Sequence, residues 1–109
     1  MKTTLNSTEM LIKKGPANLQ KGVETVGGKL YLTTQRLIFE AHKLNIQGGI
    51  TEMNLSEINS TKLAWTKFLG LIPLIPNSLS INLKKNEYCF VLFGRKVWQS
   101  SIDEQRMKI

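Results

Sequence analysis

Long apolar runs are missing from this 109-residue chain: no window approaches the roughly 18 successive apolar residues that a membrane-spanning helix needs. The opening MKTTLNST carries a lysine with no apolar stretch behind it, so no secretory signal is expected. The expected address is cytoplasmic, with room for a peripheral membrane contact. Without secretion, the glycosylation-like triplets that begin at Asn6, Asn54 and Asn59 carry no message. Cysteine is reduced to Cys89, which excludes an internal disulfide and, inside YCFVLF, reads as a buried thiol.

Catalytic and metal chemistry is as sparsely provided for. His42 is the single histidine, and there is no CxxC or HExxH spacing, so a metal site is not expected. No GxSxG elbow accompanies His42, which reads as a solvated residue at a strand end. Asp103 and Glu104 are adjacent on a helix and project in different directions, unlike the facing carboxylates of acid and base catalysis. Gly22, Gly27, Gly28 and Lys29 approximate a phosphate-binding loop, but the lysine comes one position late and Leu30 stands where a hydroxyl is needed. No enzyme activity and no cofactor are expected. Nor does a run of five like charges occur, so there is no basic tail; the aromatics sit in core-like strands without an RNP pattern, and nucleic acid is not the expected partner.

Basic charge is what the chain does have. Fifteen Lys and Arg against eight Asp and Glu give +7 and a pI near 9.8, which favours anionic partners. The charge is scattered in pairs, Lys13-Lys14, Lys84-Lys85 and Arg95-Lys96. With 41% hydrophobic and 21% charged residues, the length and composition fit one compact domain.

Hydrophobic period points to strands. Leu79, Ile81 and Leu83 alternate with Ser80, Asn82 and Lys84, and Leu37, Phe39 and Ala41 alternate with Arg36, Ile38 and Glu40. Strands are expected near 21–27, 29–34, 36–43, 50–55, 57–66, 78–84 and 87–93. Gly27-Gly28 reads as a two-residue hairpin turn, Thr33 to Gln35 as the next turn, and KKNE at 84–87 as the last. Arg36 is left to reach an acidic partner such as Glu40. The segment EMLIKKGPANL is ambiguous between an extra strand and a short helix. After Gly94, Trp98, Ile102 and Ile109 share a face with Val97, which predicts an amphipathic helix with a Glu104–Lys108 pair outside. Seven antiparallel strands and a helix make a bent sandwich or partly open barrel that the helix plugs.

The run GGKLYLTTQRLIFEAH, residues 27–42, resembles the GRAM domain, a branch of the pleckstrin-homology-like superfold. LSEI at 55–58, LIPNSLSI at 74–81 and YCFVLFGRKVW at 88–98 resemble further segments of that family. The resemblance implies a mainly β, pleckstrin-homology-like fold closed by one C-terminal helix, here a single domain over 9–109 after a flexible tail at 1–8. It also implies a module that binds anionic lipids or proteins. The basic loop that many lipid-binding relatives hold between the first two strands is replaced here by Gly27-Gly28 and the lone Lys29.

KFLGLIPLIPN, residues 67–77, is the most apolar stretch, and Pro73 and Pro76 argue against a central strand there. It is expected to connect two strands, either folding over the open end of the barrel or standing out from it. The residues assigned to lipid contact are Lys62, Lys67, Phe68, Leu69, Leu71, Lys84 and Lys85. The competing partner is a protein, or a second copy, held by the same apolar loop and an open sheet edge.

Overall fold

The alternation in RLIFEA and LSINL sorts side chains to two faces, and the inner set meets in one core. The computed structural model describes residues 1–21, 24–42, 49–68 and 72–109. Its strands are β1 (Leu11–Lys21), β2 (Glu24–Thr33), β3 (Arg36–Ala41), β4 (Ile50–Asn54), β5 (Ile58–Phe68), β6 (Ile72–Leu83) and β7 (Glu87–Leu92). A 3-10 turn at Leu55–Glu57 leads into β5, and helix α1 (Arg95–Met107) follows β7. All pairings are antiparallel, in the order β4-β3-β2-β1-β7-β6-β5. The sheet is not closed: β4 and β5 are its edges. Leu30, Leu37, Phe39, Leu79, Ile81 and Phe90 fill the interior, with the Phe39 and Phe90 rings tilted at 5.6 Å. Trp98 and Ile102 of α1 complete this core as expected, whereas Val97 and Ile109 stay in solvent.

One open sequence reading is resolved and two need correction. The ambiguous N-terminal segment is a full strand, β1; Pro16 sits just before the β7 pairing starts at Ala17, where β1 has a neighbour on one side and a missing N–H costs little. Gly27-Gly28 is not a turn but lies within β2, Gly27 opposite Asn18 and Gly28 opposite Ala17. The β5–β6 hairpin runs past its expected ends: Lys67 pairs with Pro73 and Phe68 with Ile72. Pro73 and Pro76 are tolerated because β7 pairs only with Ser78–Asn82, so this half of β6 has β5 alone beside it, and the register there shifts twice.

The outer face of β2 and β3 is not left to water. Tyr31 and Ile38, register partners on that face, are both buried. The stretch before β1 is tied across them: the Lys2 and Thr3 amides and the Thr3 hydroxyl donate to the Glu40 carboxylate, Asn6 Nδ2 donates to Gln35 Oε1, and the Thr34 amide donates to the Met10 carbonyl. Burial pushes the Glu40 carboxyl up, but these N–H and O–H donors outweigh it and the net direction is down. Arg36 does not use Glu40. Its guanidinium grips Glu9 with two bonds of 2.8 and 2.9 Å and also pairs with Glu52. Thr33 Oγ1 donates to Glu9 at 2.5 Å and accepts the Gln35 and Arg36 amides, which shapes the TTQR turn.

Helix α1 does more than complete the core. Arg95, Gln99, Asp103 and Arg106, spaced four, four and three apart, line the helix side that faces the β5 edge. Arg95 Nη1 donates to the Ala64 carbonyl at 2.7 Å, Gln99 Nε2 to that of Thr61 at 3.2 Å, and Arg106 Nη2 to those of Ile58 and Asn59. Asp103 accepts the Thr61 hydroxyl. An exposed edge strand is a template for unwanted pairing, and side chains seated on its carbonyls blunt it. Arg106→Ala is expected to cost about 1.5–3 kcal/mol, the range for hydrogen bonds that involve a charged group. A lowered urea midpoint together with concentration-dependent light scattering would show both the lost bonds and the uncovered edge.

Candidate functional site

The Arg95–Ala64 hydrogen bond pins the start of α1 against the outer half of β5, and both elements carry exposed apolar side chains. Gly94, at φ 67°, turns the chain from β7 into α1 and leaves the preceding Phe93 standing out, 87% exposed. Val97 on the first helical turn is 59% exposed, and on β5 Trp65 and Leu63 are 50% and 39% exposed. Lys62, Arg95 and Lys96 interleave with them in sequence, Lys62 and Lys96 exposed. The ion pairs of α1, Arg106–Asp103 at 2.9 Å and Lys108–Glu104 at 3.6 Å, lie at its other end. The start of α1 and the middle of β5 therefore expose both apolar and basic side chains.

The residues singled out from sequence are distributed along the β5–β6 hairpin rather than gathered. Lys62 lies mid-strand opposite Ser80, one residue from Leu63. Lys67 and Phe68 are the last residues of β5, next to the Trp65 surface in sequence; Leu69 and Leu71 lie outside the described residues. Lys84 and Lys85 are in the β6–β7 turn, at the far end of the hairpin, beside a depression of about 430 Å³ that Glu57 and Asn59 also line. From Pro73, opposite Lys67, to Leu83 an extended chain spans roughly 33 Å, so Lys67 cannot share one small ligand with Lys84 and Lys85. Trp65, Phe93, Val97 and Lys96 were missed. Phe93 and Val97 continue the apolar pattern of their elements, which gave no hint that the Gly94 turn and the helix direction leave them outside; Trp65 stands out only once β5 is known to be an edge.

Among the described residues no cluster of His, Cys, Asp and Glu could hold a metal ion, and no helix is long and apolar enough to cross a membrane. The buried titratable groups are held in structural pairs: Arg36, chiefly through its hydrogen bonds and against burial, pulls Glu9 down to about 2, with help from Thr33 and the Asn6 amide. Burial, with Glu40 nearby, pushes the Tyr31 hydroxyl up.

The GRAM domain family model matches residues 1–108. No curated protein matches the sequence. Among solved structures, the C-terminal domain of an unknown protein from Leishmania infantum aligns with a TM-score of 0.74 at 14% identity, over 91% of this chain and 85% of that one. The N-terminal PH domain of Vps36 aligns at 0.70 and 15% identity, over 96% and 84% of the two chains. The N-terminal PH domain of human ARAP2 aligns at 0.66 and 9% identity, over 99% and 87%. At such identities the likeness shows a shared fold.

Proposed function

The chain belongs to the GRAM domain family, whose members are typically binding modules, and we propose that this one attaches weakly to anionic membrane faces without catalysing a reaction. The observation that carries the reading is that β5 and the α1 start, linked by the Arg95–Ala64 bond, expose Leu63, Trp65, Phe93 and Val97 as well as Lys62 and Lys96, with Arg95 half-buried between the two elements. Large amphipathic rings favour the headgroup boundary, and lysines beside them favour anionic lipid. Each cation near such a surface contributes roughly 1 kcal/mol, so three give modest binding that weakens once salt shortens the Debye length to about 8 Å. The same proposal takes in Lys67, Phe68, Leu69 and Leu71 from their sequence alone; Lys84 and Lys85 contribute through the long-range field.

Cosedimentation with phosphatidylcholine vesicles containing phosphatidylserine tests it. Binding at low salt that fades at high salt is expected, and Trp65→Ala should weaken it about tenfold, equivalent to roughly 1.4 kcal/mol of lost ring burial. Absence of binding at low salt sinks the reading. The competing partner is a protein or a second copy, favoured by the extent of the same apolar surface. Its other foothold, the β5 edge, already carries α1 side chains on four carbonyls. A stable dimer by light scattering that Trp65→Asp dissolves, with no vesicle binding, would establish that alternative.

A further inference from the structure

Past their last pair, Ala17 with Leu92, β1 and β7 part, and a trough of about 210 Å³ opens there. Asn18 and Val91 are register partners one step from that core-facing pair, which places them on the outer face of the sheet. Four separate stretches bring polar or aromatic side chains to the trough: Asn18 of β1, His42 after β3, Asn77 of β6 and Phe93 after β7. Gly27 is opposite Asn18 and takes the His42 amide on its carbonyl. A Cβ on Gly27 would lie 3.2 Å from Asn18 Oδ1 and 3.4 Å from His42 Cδ2, so the missing side chain leaves room between the two polar groups. Among the described residues, none that lines the trough is a lysine, arginine, aspartate or glutamate.

We infer that this trough takes an uncharged polyhydroxylated ring, the hexose headgroup of a glycolipid, beside the membrane-facing surface; the inference rests on the membrane reading above. Amide groups both donate and accept, as does an imidazole with one N–H, and so does each hydroxyl of a sugar; a phosphate in the trough would find no lysine or arginine among the described lining residues. The exposed Phe93 ring offers an apolar face to the C–H face of the sugar. The volume is below the roughly 300 Å³ at which sites for drug-sized ligands begin, which fits one ring. Phe93 belongs both to the trough and to the apolar surface around Arg95, so a headgroup would enter from the bilayer side.

The test compares phosphatidylcholine–phosphatidylserine vesicles with the same vesicles containing monogalactosyldiacylglycerol, at one salt concentration. The glycolipid is expected to strengthen binding about fivefold, a difference of roughly 1 kcal/mol. Gly27→Val, which fills the space between Asn18 and His42, and Asn18→Ala should each remove that increment and leave binding to the sugar-free vesicles unchanged. Binding that the glycolipid does not improve, or an increment that survives both variants, overturns the inference while the membrane reading stands. If the sugar-free vesicles are not bound at low salt, it is the membrane reading that fails. A parallel NMR titration with methyl β-galactoside separates headgroup from free sugar chemistry: shifts centred on Asn18, His42 and Phe93 support the trough, and their absence counts against it.

Discussion

Gly28→Ala is expected to lose about 3 kcal/mol of stability, the upper end of the usual cost of overpacking, and to lower the melting temperature by roughly 15 °C. The reason is the distance between strands. A Cβ at this position would overlap the Glu40 carbonyl oxygen and stand 2.8 Å from Phe39 Cζ and 2.9 Å from Ala41 Cα, so the obstacle is mostly backbone and cannot swing aside. Gly28 pairs with Ala17 on one side and Ala41 on the other, which leaves no free edge toward which β2 could shift. Gly27→Ala is the informative partner. Its nearest neighbours are the ends of the Asn18 and His42 side chains, which can move, so a change of less than about 1 kcal/mol is expected. Equal losses at the two glycines would indicate a turn, as the sequence suggests, and would contradict the continuous strand.

The second large effect is expected at the start of the chain. Glu9→Ala should cost about 3 kcal/mol, because it leaves the buried side of the Arg36 guanidinium without its bidentate acceptor and the Thr33 hydroxyl without the carboxylate it donates to. Removing both partners together, as in Glu9→Leu with Arg36→Met, should cost less than Glu9→Ala alone, since no buried unpaired charge remains and Glu52, which also loses Arg36, is half-exposed. The same pair sets a pH dependence. The folded pKa of Glu9 is about 2 against 4.5 unfolded, so its contribution is full above about 4.5, declines as pH falls, and is gone below about 2. Glu40 shifts in the same direction and adds to the slope. Urea midpoints measured from pH 7 down to pH 2 should therefore fall more steeply for the wild type than for Glu9→Gln; parallel slopes would refute the assignment.

Neither of these two features was readable from the sequence, for different physical reasons. Two adjacent glycines answer equally well to a tight turn and to a close approach of backbones, and the choice depends on β3, eleven to fourteen residues further on. Glu9 and Arg36 are 27 residues apart, and the segment before β1 has no hydrophobic period to betray that it lies on a sheet. What period could show, it showed: Leu37 with Phe39, Leu79 with Ile81, and Trp98 with Ile102 all point inward as their spacing requires. The outer-face Ile38 was invisible to the same reasoning because its cover comes from residues 2–10. The surface proposed for binding divides in the same way. Lys62 was singled out through its charge, whereas Trp65 and Phe93 owe their exposure to an edge and a turn that exist only in three dimensions.

The polar row of α1 on the β5 edge has a consequence for the order of events during synthesis. β5 is complete at Phe68, while Arg106, which holds its first carbonyls, emerges 38 residues later. At roughly 5–20 residues per second that interval is about 2–8 s, very long beside the microseconds in which hairpins form. For that time the nascent chain displays an eleven-residue strand with nothing on its free side. Crowded ribosomes on one message would place several such edges close together, so the helix acts as a late-arriving guard, and slowed translation between residues 68 and 106 should raise aggregation without altering the finished protein.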